Sequence, residues 1–170
     1  MAPHLEKLQQ AIAAAVAGLS AEQLSWHPPG KWCAAELLEH LYLTYTGTIK
    51  GLERVVEAGK PRVTTATWTQ RASALVVLGL GYMPAGREAP PTARPRGLPP
   101  AKILAEIGPK IAQMAECIRR CEEKFGTRTK LLDHPFLGPL SGAEWRKFHC
   151  VHGLHHVQQI RRLAASANRK

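Results

Sequence analysis

Apolar residues recur along most of this chain at the three-to-four-residue spacing of an amphipathic helix. Leu5, Leu8, Ile12 and Val16 form one stripe and predict a first helix over 3–18. Ser20, with Gln23 three residues later, opens a short turn. His27-Pro28-Pro29-Gly30 then breaks the pattern. A second long helix is predicted over 34–58, ending before Gly59-Lys60-Pro61. Its start, Cys33-Ala34-Ala35-Glu36, resembles a capping box with Cys where Ser or Thr is usual. A thiol is a poor acceptor, so the cap is expected to be weak. A shorter helix is predicted over 68–77, stopping at Gly79-Leu80-Gly81.

Residues 82–100 carry six prolines and little periodicity, which predicts a long irregular crossover that is mobile or lies across a site. A third long helix, 99–125, presents Ile103, Ile107, Ile111, Met114 and Ile118, and Gly108-Pro109 is expected to kink it or mark its true start. Residues 133–140 read as a loop. Ser141-Gly142-Ala143-Glu144 is a capping box that opens the last helix, 142–165. Two-residue alternation is not sustained anywhere, so no sheet is expected. The prediction is one all-α domain over 1–170: four long helices, a four-helix bundle with one long Pro-rich crossover.

The last helix breaks its own pattern. His149, His152 and His156 fall within about 60° of one another on a wheel advancing about 100° per residue. They share that side with Trp145, Ile160 and Leu163, where Leu or Ile would normally face a core. Imidazole is a common metal ligand and is costly to bury without a partner. The His152-x3-His156 pair places two rings on one face, close enough to share an ion. His149, on the same stripe, is a candidate extra ligand, acid–base group or hydrogen-bonding support. His155 points further round and is expected at the surface or an interface. On the second helix, Glu36, Thr44, Gly47 and Gly51 lie on the side of His40, a small and polar face that suits either a cavity wall or close helix packing. Glu36 is a candidate to orient His40 or act as a base, or else an ordinary first-turn glutamate. His134 is expected to brace its loop.

Composition narrows the classes. The chain is 45% hydrophobic and 21% charged, as soluble globular proteins are, and lacks a run of about 18 apolar residues that would span a membrane. The first helix lacks the layout of a secretory signal, which predicts a cytoplasmic protein. The four cysteines agree, because Cys117 and Cys121 sit at i, i+4 on one helix, Cys33 and Cys150 stand apart, and Cys-x2-Cys is absent. A net charge of +10 invites a nucleic-acid or anionic-ligand reading. The charges are scattered, however, and no nucleic-acid-binding motif accompanies them, so they read as a solvated basic surface. Arg169 and Lys170 read as a frayed tail.

Two segments carry a resemblance. One is Trp32-Cys33-Ala34-Ala35-Glu36-Leu37-Leu38-Glu39-His40-Leu41. The other begins His134-Pro135-Phe136-Leu137-Gly138-Pro139-Leu140, continues through Glu144-Trp145 and Phe148-His149, and ends His152-Gly153-Leu154-His155-His156-Val157-Gln158-Gln159-Ile160. Together they resemble the DinB/YfiT-like superfamily of metal-dependent hydrolases and thiol-dependent transferases. The resemblance implies a four-helix bundle in which His40, His152 and His156 bind a divalent metal, usually nickel or zinc, with a low-molecular-weight thiol as a further cofactor in some relatives. It also implies a homodimer acting on a small-molecule substrate. The family usually has Ser or Thr where Cys33 stands. Three imidazole ligands leave a metal position open to water or thiolate. The competing readings are a non-catalytic metal-binding or ligand-binding bundle, and a basic protein that binds nucleic acid after DNA damage.

Overall fold

The computed structural model describes residues 2–84, 86 and 88–167; Arg169 and Lys170 lie outside them. Six α-helices carry the fold: α1 (Pro3–Val16), α2 (Ala21–Ser25), α3 (Ala34–Ala58), α4 (Trp68–Ala74), α5 (Pro100–Phe125) and α6 (Gly142–Ala167). A π-helical turn, Leu75–Gly79, extends α4, and a 3-10 turn, Pro91–Ala93, interrupts the crossover. The four long helices predicted from periodicity are all present, and the structure is predominantly helical.

Each helix begins and ends for a local reason. Ser20 caps α2 and Thr67 caps α4, each in a reciprocal box with the glutamine three residues on. At α3, the Cys33 sulfur accepts from the Glu36 amide at 3.4 Å and the Glu36 carboxylate accepts from the Cys33 amide at 2.8 Å. The sulfur contact is long, so the carboxylate arm supplies most of the cap. Gly59, at φ 67°, ends α3 in the left-handed conformation that glycine adopts without steric cost. α1 stops at Val16, two residues before the predicted end, and the chain turns through Gly18 at φ 74°. Pro109 lies inside an uninterrupted α5. The stripe Ile103, Ile107, Ile111, Met114, Ile118 and Cys121 is buried along its whole length, and that burial outweighs one lost backbone hydrogen bond.

α3 packs chiefly against α5, and α1 against α6. Between them lie Leu5, Leu8, Leu38, Leu41, Tyr45, Leu52, Ile111, Met114 and Ile160, all fully buried. Gly153 lets α1 approach α6 closely, since a Cβ there would run into Leu8 and press on the Tyr45 hydroxyl. By contrast α4 buries none of its residues; Trp68 and Leu75 stay exposed.

The expected absence of a sheet is corrected. Residues 133–140, read as a loop, belong to an antiparallel hairpin in which β1 (Lys130–His134) pairs with β2 (Gly138–Ser141). Leu132 faces Leu140 and His134 faces Gly138 across the ladder. Strands of five and four residues are too short to register as alternation, and Pro139 argues against a strand except at an edge. Burial of Leu131, Leu137 and Leu140 holds the hairpin. Arg62 donates its amide to the Leu131 carbonyl at 2.9 Å, and Asp133 accepts from the backbone and hydroxyl of Thr64, so the segment before α4 is tied to β1. The His134 ring accepts from the amides of Phe136 and Leu137 and braces the turn as expected. β2 runs directly into α6 through the Ser141–Glu144 capping box.

The Pro-rich crossover is anchored from below. Glu39, 2% exposed, accepts from the amides of Arg96, Gly97 and Leu98 at 2.7, 3.0 and 3.1 Å. Three successive N–H groups on one carboxylate fix the strap across the N-terminal half of α3. Removing the acceptor leaves three backbone donors competing for water at a buried site. Glu39→Ala is expected to cost about 3 kcal/mol of unfolding free energy and to open residues 86–98 to limited proteolysis. Urea denaturation and protease mapping check both, and an unchanged midpoint contradicts the anchoring role.

Candidate functional site

His40 projects from the second turn of α3, and His152 and His156 project from successive turns of α6. Their Nε2 atoms converge. His152 Nε2 lies 3.1 Å from His40 Nε2 and 3.1 Å from His156 Nε2. One nitrogen from each ring lies within 4.8 Å of the others, and the three could hold a metal ion. Imidazole–metal bonds of about 2.1 Å at angles between 90° and 110° separate neighbouring nitrogens by about 3.0–3.4 Å, which brackets the two short contacts.

Tautomers explain why this convergence calls for a cation. His40 Nδ1 donates to the Ala93 carbonyl at 2.7 Å. A carbonyl only accepts, so Nδ1 carries the proton and a neutral ring leaves Nε2 bare. His156 Nδ1 donates to the Gln159 side-chain carbonyl at 2.7 Å, with the same result. Gln159 turns its amide nitrogen toward His155 Nε2, 3.2 Å away. His152 Nδ1 is buried without a protein partner, and its ring stacks on Phe148 at 5.3 Å. Three rings thus aim at one point with at most one proton to share. That proton satisfies at most one of the two 3.1 Å contacts, whereas a cation satisfies all three lone pairs.

Electrostatics keep the rings uncharged. Burial, and then the neighbouring rings, hold His152 well below the ordinary imidazole range. Burial followed by the His40 ring lowers His156 to about 4. Burial also lowers His40, against the opposing pull of the Ala93 carbonyl. Neutral imidazole is the form that binds metal, so near pH 7 the rings need shed no proton first.

The remaining candidates occupy other places. His149 is fully buried, donates to or accepts from the Thr48 hydroxyl at 3.1 Å, and lies beside Tyr45 and Trp145, outside the three-ring cluster. Burial pushes it down to about 3. Glu36 spends its carboxylate on the α3 cap. His155 is half-buried and lines the cleft above the rings, where surface exposure had been expected. It falls about 60° from His152 on the helix wheel, near enough to share the cleft-facing side. All four cysteines are free and buried, and burial raises every thiol, Cys121 to about 11. None has the lowered pKa of a nucleophile.

The rings open into a cleft of about 1130 Å3. α3 contributes Thr44, Gly47 and Thr48, and the hairpin and α6 add Phe136 and Phe148. The strap closes one side with Met83, Pro90 and Ala93. The small face of α3 therefore serves both purposes left open by the sequence. Gly47 borders space, with nothing near an added Cβ, whereas Gly51 packs against Leu132. Sequence reasoning missed Glu39, Gln159 and the Ala93 carbonyl. Gln159 had a signal, standing three residues after a candidate ligand on the same helix. Glu39 had one too, as an acid flanked by Leu37, Leu38 and Leu41. A backbone carbonyl more than fifty residues away left none.

Comparison with known proteins adds one finding. A family model described as a protein of unknown function, DUF1569, matches residues 2–163. The chain belongs to the DUF1569 family. The match covers both ring-bearing helices and the strap. No curated protein and no solved structure matches this DUF1569 chain.

The geometry separates ligating from non-ligating histidines. Purified protein equilibrated with zinc or nickel is expected to hold close to one ion per chain. His40→Ala, His152→Ala and His156→Ala each remove it, and His155→Ala and His149→Phe retain it. Elemental analysis after gel filtration reads the outcome, and metal lost from His155→Ala but kept by His156→Ala contradicts the assignment.

Proposed function

We propose that this DUF1569 protein is a divalent-metal enzyme of the DinB/YfiT-like type, a metal-dependent hydrolase or thiol-dependent transferase acting on a small molecule. The supporting observation is the convergence of three imidazole nitrogens, at least two of them unprotonated, at the floor of a substrate-sized cleft. Under this reading α1, α3, α5 and α6 form the four-helix bundle of that superfamily, and His40, His152 and His156 are the ligands. Nickel and zinc are the favoured ions, because neutral nitrogen donors suit both. When bound, the ion supplies Lewis acidity that lowers the pKa of a water or thiol and polarises an electrophile.

The chain's own residues supply positioning and exclusion of water. The Ala93 carbonyl and Gln159 hold His40 and His156 with Nε2 facing the cleft. Phe148 holds the His152 plane by stacking. Glu39 keeps the strap, and with it the Ala93 carbonyl, over α3. The Thr48 hydroxyl, backed by His149, offers a hydrogen-bonding group on the cleft wall. Each of these groups has a positioning task, so the attacking group comes from water or a thiol bound in the cleft.

A non-catalytic bundle would use the same ligands without needing space beside them. The cleft favours the enzyme. The basic residues are scattered along the sequence without a nucleic-acid-binding motif, and homodimerisation stands as part of the same proposal.

The test uses metal-loaded protein against a panel of activated esters and alkyl or aryl electrophiles, with and without a low-molecular-weight thiol. Turnover is expected in one arm and is expected to fall by at least about 100-fold in His156→Ala. Thiol dependence identifies a transferase. A fully loaded protein inactive in both arms supports the non-catalytic bundle.

A further inference from the structure

The charges around the cleft are few and unequally partnered. Lys31, Arg94, Arg162, Glu88 and Asp133 are the charged side chains lining it among the described residues. Glu88 pairs with Arg94 at 2.8 Å, and one Asp133 oxygen is occupied by Thr64. Among the described residues Arg162 has no carboxylate partner, although it lines the cleft from a regular helix. It stands seven residues beyond His155, about 20° away on the helix wheel, which places it on the same side of α6 as that cleft-lining ring. Its charge reaches His155, where it reinforces the effect of burial in keeping that ring neutral. On α6 the cleft-lining residue between His156 and Arg162 is the neutral Gln159, and Leu163, Trp32 and Met83 line the same cleft.

We propose that the cleft recognises a carboxylate-bearing substrate: its reactive group lies at the three histidines, its apolar middle lies along the cleft, and its carboxylate pairs with Arg162. This rests on the metal-site reading above and names the substrate class for it. A guanidinium presents a planar fork that matches one carboxylate with two parallel hydrogen bonds. A single fork suits a monoanion better than a phosphate dianion, which draws several cations.

Two hydroxamates of equal length test this on zinc-loaded protein. Suberic acid monohydroxamate carries a metal-binding head and a carboxylate tail, and octanohydroxamate replaces that tail by a methyl group. Isothermal titration is expected to show the carboxylate compound binding at least about tenfold more tightly. Arg162→Gln is expected to abolish that preference while leaving octanohydroxamate affinity and zinc content unchanged. Lys31→Met, at a second cation lining the cleft, is expected to retain most of the preference. Equal affinities in the wild-type protein, or a preference that survives Arg162→Gln, overturn the role of Arg162 while leaving the metal site standing. Failure of both hydroxamates to bind zinc-loaded protein overturns the open metal site and this proposal with it.

Discussion

Three imidazole nitrogens pointing at one another with at most one proton among them are unfavourable unless something positive sits between them. That constraint organises the molecule around His40, His152 and His156. Two of the rings are fixed with Nε2 inward, because their other nitrogens donate to groups that accept, the Ala93 carbonyl and the Gln159 side chain. Burial then removes the ordinary escape, since charging any ring in this environment is costly. The fold holds lone pairs together, and the energy needed to do so comes from the packing of α3 on α5 and α1 on α6. Such an arrangement is pre-organised for a cation and contributes little to stability without one.

The strap is the second element of the design. A proline-rich connection lacks the backbone donors and regular hydrogen bonds that would keep it in place. Glu39 substitutes for them by accepting three consecutive amides, and three residues earlier the strap presents the Ala93 carbonyl to His40. Adjacent residues on α3 thus have linked tasks: Glu39 fixes the loop and His40 is oriented by it. Disturbing the anchor disturbs the ring, so stability and site geometry are coupled through neighbouring side chains rather than through the global fold.

Much of this could be read from residue spacing. Periodicity located the four long helices to within a few residues, and capping boxes at Ser20, Cys33 and Ser141 marked true starts. The pair at 152 and 156 was visible because an i, i+4 spacing is itself a geometric statement. What escaped was information carried by distant contacts. The hairpin was missed because its nine strand residues are stabilised by packing against α3 and α6 rather than by their own alternation. The course of the strap was missed because its anchor is a side chain nearly sixty residues earlier. His155, expected at the surface or an interface, lies outside the three-ring cluster and lines the cleft half-buried, a position that its wheel angle alone did not specify.

Diffraction from crystals of zinc- or nickel-loaded protein, recorded on both sides of the metal absorption edge, addresses the central claim most directly. A single anomalous peak within bonding reach of Nε2 of residues 40, 152 and 156, with a further coordination position facing the cleft, is the result expected. Rings that remain together with no peak between them, or a peak held elsewhere on the chain, would contradict it.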